Sequence, residues 1–162
     1  DAVVVGAETV RAEGYLLPRR SRLAIVTRSG DLAGHRLEPD PDGPDDQVLL
    51  VMPMGATPPP SVRGVTVVRV AESGGRMPVR GILSALGDRG IHRVVCEGGP
   101  SLAAQFAAAD VVDEYCVTAA PRLVPTAGAF LPLETPLDTA PAGMLVDEDG
   151  FSYLRLRRAT LA

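Results

Sequence analysis

The residues best suited to chemistry lie in segment 94–102, which reads VVCEGGPSL. An apolar run enters Gly98 and Gly99 and then the predicted first turn of a helix, where Pro100 is tolerated because a first-turn N–H has no intrahelical partner. The glycines let the backbone approach a ligand closely, and the N–H groups up to Leu102 would lie at the positive end of a helix dipole. This pattern predicts a phosphate or pyrophosphate cradle, and a tight strand-to-helix turn without a ligand fits it equally well.

Glu97 stands at the carboxyl end of the same predicted strand, the edge of an open α/β sheet where ligands bind. A carboxylate there can accept hydrogen bonds from a substrate, and a solvated acid at the rim of the sheet has the same position. A second turn, Thr27-Arg28-Ser29-Gly30, also follows an apolar run. Its guanidinium and hydroxyl groups suit a phosphate monoester, such as the 2′-phosphate of NADP, or form an ordinary polar turn.

Other kinds of site have weaker support in the sequence. The segment VGAETVRAE at 5–13 places one glycine and then Thr9 after an apolar run, without the GxGxxG spacing of the dinucleotide-binding fingerprint. His35 and His92 have no neighbouring ligand at metal-binding spacing, so no metal site is predicted. There is no GxSxG motif, and all 16 basic residues are arginine, which excludes lysine-based catalysis.

Composition and charge narrow the class of protein further. The chain has 162 residues, of which 46% are hydrophobic and 22% charged, as expected for one globular domain over 1–162. A net charge of −4 argues against a nucleic-acid partner, and no apolar run approaches the ~18 residues of a membrane span. Cys96 and Cys116 both lie in apolar runs, which predicts buried, reduced thiols and a cytoplasmic location.

The elements that must position these residues follow from the apolar periodicity. Strands are predicted at 2–5, 23–27, 47–52, 65–70, 91–96, 112–119 and 151–158, and helices at 8–13, 78–89 and 101–109. Irregular connectors are predicted at 31–46, 53–61 and 120–145. Alternating strands and helices followed by strands predict a three-layer α/β/α domain, with a mainly parallel sheet and an antiparallel C-terminal edge.

Three blocks in this order resemble the pyrimidine reductases of riboflavin biosynthesis. They are VGAETVRAE at 5–13, LAIVTRSG at 23–30, and VVCEGGPSLAAQF at 94–106 followed by ADVVDEYCVTAAP at 109–121. The resemblance implies a dihydrofolate-reductase-like fold and reduction of a ribosylamino-pyrimidine to its ribitylamino form, with NADPH as cofactor. It also implies a homodimer, for which segment 120–145 and the C-terminal strands could supply the interface.

The resemblance, combined with the turns described above, gives a candidate site. The cofactor contacts fall on Thr9, Glu13, Arg28, Ser29, Gly98, Gly99, Pro100, Ser101, Leu102 and Ala103. Glu97 would contact the substrate, and Leu17 and Arg20 would lie near the phosphate of the substrate. No side chain in this sequence is singled out as the catalytic acid.

Three departures from the family pattern leave other functions open. Glu8 stands where the family often has glycine, the family's double glycine after Ala120-Pro121 is absent, and its first strand and helix have no counterpart before Asp1. We therefore expect a reductase domain that is incomplete at its N-terminus. The alternatives are a relative that reduces another heterocycle, such as dihydrofolate, and a nucleotide-binding domain without catalysis.

Overall fold

A parallel β-sheet of five strands lies at the centre of the protein, for which a computed structural model describes residues 1–58, 64–125 and 129–159. The strands are β1 (Ala2–Gly6), β2 (Arg22–Val26), β3 (Val48–Pro53), β4 (Thr66–Val70) and β5 (Val94–Cys96), in the spatial order β4-β3-β2-β1-β5. Every residue of β3 is buried, as expected of a parallel strand covered on both faces. Parts of the predicted connectors 53–61 and 120–145 lie outside the described residues.

Helices cover both faces of this sheet. Those in the described residues are α1 (Ala7–Glu13), α2 (Val79–Gly87) and α3 (Pro100–Ala108), and none of the three is long and apolar enough to cross a membrane. Because successive strand residues point to opposite faces, β1 directs Val4 into the core beneath α2 and α3 and Val5 into the core beneath α1. The predicted α/β/α class is therefore confirmed.

The C-terminal strands form a separate antiparallel sheet. It contains β6 (Glu114–Ala119), β7 (Thr139–Val146) and β8 (Ser152–Arg158), with β8 in the middle. The predicted antiparallel strands are present, but they do not extend the edge of the parallel sheet, because they pair with one another. Strand β7 lies in the segment predicted to be a connector; its register shifts between Pro141 and Gly143, and proline is tolerated there because β7 is an edge strand.

Strand β5 is shorter than the prediction of 91–96 because other groups take the backbone hydrogen bonds of its first residues. The Ile91 N–H donates to the Leu86 carbonyl and so closes the end of α2. The N–H groups of His92 and Arg93 donate to the Asp1 carboxylate, at 2.9 and 3.0 Å. Pairing with β1 therefore begins only at Val94.

Both cysteines are free thiols, and they differ in exposure. Cys96 is half-buried against the core, and burial raises the pKa of its thiol. Cys116 is exposed on β6, so the expectation that both thiols are buried is wrong for this residue. The reason is that the antiparallel sheet leaves much of its surface uncovered.

The chain order places a crevice beside β1. From β1 the chain proceeds outward through β2, β3 and β4, and then returns to add β5 on the opposite side of β1. Where the strand order reverses in this way, the connections leave in opposite directions and open a crevice at the carboxyl ends of the strands. Gly6 at the end of β1 and Glu97 just beyond β5 lie at this point. The Glu97 N–H donates to the Val4 carbonyl at 3.0 Å, so β1 and β5 are held together up to this edge.

Candidate functional site

A large cavity of about 1210 Å³ opens at the carboxyl ends of β1 and β2 and along α1 and α3. Two helices begin at this edge of the sheet, so their positive ends face the same region. One wall comes from a distant part of the chain, the segment 132–137 before β7. The lining residues are 6–9, 11–13, 26–29, 76–77, 82, 99–102, 104–105, 107–108 and 132–137.

Thr9 connects the two helices beside the large cavity. Its side chain is only 7% exposed, and its Oγ1 accepts a hydrogen bond from the Gly99 N–H at 3.1 Å. Gly99 is the N-cap of α3, and its carbonyl accepts from the N–H groups of Leu102 and Ala103 at 3.0 and 3.2 Å. The Ser101 N–H is in the first turn and has no acceptor within the helix, so it is available to an anion in the cavity.

Gly98 and Gly6 lie close together, and the structure requires glycine at these two positions for different reasons. A Cβ atom added to Gly98 would lie 2.7 Å from Cδ2 and 3.1 Å from Cβ of Leu102, and 3.3 Å from the Gly6 nitrogen. A Cβ atom added to Gly6 would meet no atom within 4 Å, although Gly6 lines the large cavity. Gly98 is therefore needed for close packing of α3 on β1, whereas Gly6 leaves room for a ligand.

We expect Gly98→Ala to destabilise the fold by about 1–2 kcal/mol, because the buried Leu102 must move to admit the methyl group. For a domain of this size, that loss lowers the melting temperature by roughly 2–8 °C in a circular-dichroism melt. Gly87→Ala is the matched control, since its Cβ meets no atom within 4 Å. Equal melting temperatures for Gly98→Ala and the parent would contradict this packing argument.

The turn after β2 is ordered by its own side chains. Thr27 is 7% exposed, and its Oγ1 accepts from the N–H of Gly30, which has a φ of +74°. The Ser29 hydroxyl accepts from the Asp31 N–H at 3.2 Å. With these bonds in place, Arg28 and Ser29 both line the large cavity. Their predicted contacts with a cofactor stay predictions.

Arg76 lines the large cavity together with Arg11 and Arg28, and sequence reasoning missed it. It ends the tight turn Ser73-Gly74-Gly75-Arg76, in which both glycines have positive φ, +59° and +73°. Ser73 and Arg76 exchange backbone hydrogen bonds of 2.8 and 3.2 Å. The signal was the Ser-Gly-Gly-Arg sequence, because paired glycines between short extended segments are typical of a two-residue hairpin turn.

A smaller cavity of about 490 Å³ lies at the C-terminal end of α1. It is lined by Val3, Glu13, Gly14, Tyr15, Leu16, Pro18 and Glu97. Glu13 lines both cavities, and Glu97 in the small cavity is two residues from Gly99 in the large one. The two cavities therefore adjoin at the end of α1 and the loop after β5.

Tyr15 and Glu97 are in contact in the small cavity. The Tyr15 hydroxyl donates a hydrogen bond to Glu97 Oε2. Partial burial, this hydrogen bond and the charges of Glu97 and Glu13 together raise the pKa of Tyr15 well above its usual value. The phenol therefore keeps its proton over the whole working pH range.

The structure brings together most of the residues predicted for the site. Those that line the large cavity are Thr9, Glu13, Arg28, Ser29, Gly99, Pro100, Ser101 and Leu102, and Glu97 lines the small cavity. Gly98 and Ala103 line neither cavity, since Gly98 packs beneath Leu102 and Ala103 continues the helix. Leu17 packs against the core, and Arg20 is exposed and lines neither cavity, so their proposed contacts with a substrate phosphate stay predictions.

Comparisons with known proteins identify both the fold and the family. The structure is similar to a pyrimidine reductase-like protein from Corynebacterium diphtheriae, with 20% identity and a TM-score of 0.72, over 99% of this chain and 76% of the other. It resembles Acinetobacter baumannii RibD at 20% identity and a TM-score of 0.72, over 98% of this chain and 47% of the other. The riboflavin biosynthesis reductase Rib7 of Saccharomyces cerevisiae has 16% identity and a TM-score of 0.74, over 98% of this chain and 75% of the other.

At these low identities, the structural similarity establishes the fold alone. The chain spans less than half the length of the Acinetobacter protein. A search among curated protein sequences gave no significant match. The family model described as the RibD C-terminal domain matches residues 1–138, which is most of the 162 residues. The resemblance seen in the sequence is thereby confirmed: the chain belongs to the family of RibD C-terminal domains.

Proposed function

We propose that this chain is an NADPH-dependent reductase that acts on a phosphoribosylamino-pyrimidine and converts its ribosyl group to a ribityl group. The observation that carries the proposal is the pair of adjoining cavities that share Glu13. One is large enough for a dinucleotide, and the other presents the Glu97 carboxylate. Membership in a family whose structural relatives include riboflavin-biosynthesis reductases supports this assignment.

The residues of the large cavity fit a nicotinamide dinucleotide. The first turn of α3 offers the Ser101 N–H to a pyrophosphate, and Gly6 leaves open space at the end of β1. Arg28 and Arg76 are suitable partners for the 2′-phosphate that distinguishes NADPH from NADH. Bound NADPH would supply a hydride, and the chain would hold the two reactants at the boundary between the cavities.

The small cavity would orient the pyrimidine. Glu97 follows an edge strand, and its carboxylate can accept a hydrogen bond from a ring N–H. Val3 and Leu16 provide apolar surface on which a ring can pack. In this arrangement Glu97 binds and orients the substrate, and it transfers no proton.

One observation favours the alternative of a nucleotide-binding domain without catalysis. Glu8 lines the large cavity in the first turn of α1, where its carboxylate competes with an anionic ligand. Arg11, Arg28 and Arg76 line the same cavity and offset this charge. Turnover of the pyrimidine and of dihydrofolate, measured side by side, distinguishes the three functions. Turnover of the pyrimidine supports the proposed function, and turnover of dihydrofolate alone indicates a dihydrofolate-type reductase. Turnover of neither substrate favours a nucleotide-binding domain without catalysis.

The proposal is tested first by cofactor binding. NADPH at 100 times its Kd should stabilise the folded protein by about 2.7 kcal/mol in a thermal-shift titration, and NADH should have a much smaller effect. Turnover is then followed as the loss of NADPH absorbance with the pyrimidine substrate. A protein that binds neither cofactor and turns over no substrate would contradict the proposed function.

We expect Arg28→Ala to weaken NADPH binding about 10-fold, because a charge-assisted contact to the 2′-phosphate is lost. NADH lacks this phosphate, so its affinity should change less than about 2-fold by calorimetry. Arg89→Ala is the matched control, because Arg89 is exposed and lines neither cavity. Equal losses for the two cofactors would show that Arg28 does not read the phosphate.

We also propose that the protein is a cytoplasmic homodimer. On β7, the side chains of Met144, Leu145 and Val146 are 70%, 63% and 52% exposed, an unusual amount of apolar surface for one strand. Met144 and Val146 point to one face of β7, and a second copy of the chain packed on that face would bury both side chains. This apolar surface supports the homodimer that the family resemblance implies.

A further inference from the structure

The contact between Tyr15 and Glu97 joins two segments that are 82 residues apart, and no sequence motif indicates it. We propose that Tyr15 is a positioning residue that holds Glu97 by Oε2 and leaves Oε1 to accept a hydrogen bond from a ring N–H of the substrate. This inference rests on the proposed function and deepens it, since it assigns how the carboxylate is presented to the heterocycle.

The backbone fixes where the Tyr15 ring lies. Helix α1 ends at Gly14, whose left-handed φ of +57° turns the chain sharply after the last helical residue. The Tyr15 ring then packs against the buried cluster on the α1 face of the sheet, as Leu17 does two residues later. Packing holds the ring, so its hydroxyl has a defined direction toward the end of β5.

Glu97 has a fixed backbone and a side chain that depends on Tyr15. Its N–H donates to the Val4 carbonyl at 3.0 Å, which extends the pairing of β1 and β5 by one residue. Within residues 1–58, 64–125 and 129–159, no salt bridge involves Glu97, and its side-chain hydrogen bond is the one from Tyr15. An exposed glutamate would otherwise sample several rotamers, so the phenol sets the orientation of the carboxylate.

In the hydrogen bond between Tyr15 and Glu97, the phenol is always the donor and the carboxylate is always the acceptor. A phenol that stays protonated only donates to a carboxylate, and the raised pKa of Tyr15 keeps it in that state. Because Tyr15 holds Oε2, the orientation of Oε1 is already set before the substrate binds. The Glu97 side chain therefore loses less conformational freedom when the substrate binds. The expected consequence appears in substrate affinity, because the carboxylate contacts the ring before and during hydride transfer.

We expect Tyr15→Phe to raise the KM for the pyrimidine about 10-fold, with kcat within about 3-fold of the parent and an unchanged Kd for NADPH. The variant removes one oxygen and keeps the packed ring, so its melting temperature should match that of the parent. Tyr153→Phe is the matched control, because Tyr153 also donates to a carboxylate, Asp147, at 2.8 Å and lines neither cavity.

A double-mutant cycle separates positioning from a structural role. If Tyr15 acts through Glu97, Tyr15→Phe should change the KM less than about 2-fold in a Glu97→Ala background. An equal loss in both backgrounds, or an unchanged KM in the single variant, overturns the assignment of Tyr15. Absence of turnover by the parent would instead contradict the proposed function, and the positioning role with it.

Discussion

Glu97→Ala is expected to lower kcat/KM for the pyrimidine about 100-fold, because a hydrogen bond between a ring N–H and a carboxylate contributes about 1.5–3 kcal/mol. NADPH affinity should stay within about 2-fold, since Glu97 lines only the small cavity. The measurement is steady-state kinetics with NADPH saturating, together with calorimetry of NADPH alone. We expect substrate turnover and NADPH affinity to respond differently because the two ligands would occupy two adjoining cavities.

Two further variants sharpen this result. Glu97→Gln keeps one acceptor oxygen and should retain part of the activity lost in the alanine variant. Glu148→Gln changes an exposed carboxylate that lines neither cavity and should behave as the parent. A Glu97→Ala protein with parent kcat/KM would show that the small cavity does not hold the substrate.

Gly6→Leu is expected to weaken NADPH binding by about 100-fold or more, because forcing a large side chain into occupied space costs several kcal/mol. The backbone at Gly6 has a φ of −82° and a ψ of 150°, which any residue can adopt. The added Cβ meets no atom within 4 Å, so the leucine would extend into the large cavity rather than into the core. Binding by calorimetry and stability by thermal unfolding should therefore respond differently.

The matched control for this experiment is Gly55→Leu. Gly55 is exposed, lines neither cavity and likewise leaves its Cβ position without neighbours within 4 Å. It should bind NADPH as the parent does. If Gly6→Leu also retained the parent affinity, the dinucleotide would not occupy the end of β1, and the assignment of the large cavity would be wrong.

The parallel sheet was predictable from the sequence because buried parallel strands are continuous apolar runs. Segments 23–27 and 47–52 match β2 and β3 to within one residue at each end. Prediction failed where pairing depends on distant groups. The Asp1 carboxylate takes N–H groups that would otherwise begin β5, and no local pattern in 91–93 reports that contact.

Strand β7 shows a different limit of sequence reasoning. Its sequence TAPAGMLV does not alternate, its apolar run Met144-Leu145-Val146 is only three residues long, and Pro141 and Gly143 are typical of a connector. Only the neighbouring strand β8, with its regular alternation, provides the partner that makes this segment extended. The sheet order β6-β8-β7 therefore could not be derived from local propensity.

Much of the candidate site was predictable because a glycine-rich turn at a helix N-terminus has a local signature. Gly99 before α3 and the turn containing Arg28 and Ser29 are recognised from a few adjacent residues. Arg76 and Tyr15 were missed because their roles come from tertiary placement. A hairpin turn places Arg76 at the site. Tyr15 belongs to the site through its contact with Glu97, which is 82 residues away in the sequence.

The wall formed by segment 132–137 has a thermodynamic consequence. This segment leads directly into β7, whereas the remaining walls of the large cavity belong to the parallel sheet, its helices and the loops that connect them. Any occupant that touches both sides acts as a tether between the two sheets. Suppose that docking of the antiparallel sheet raises the affinity of the cavity for its occupant by a certain factor. By thermodynamic linkage, the bound occupant then raises the equilibrium constant for that docking by the same factor.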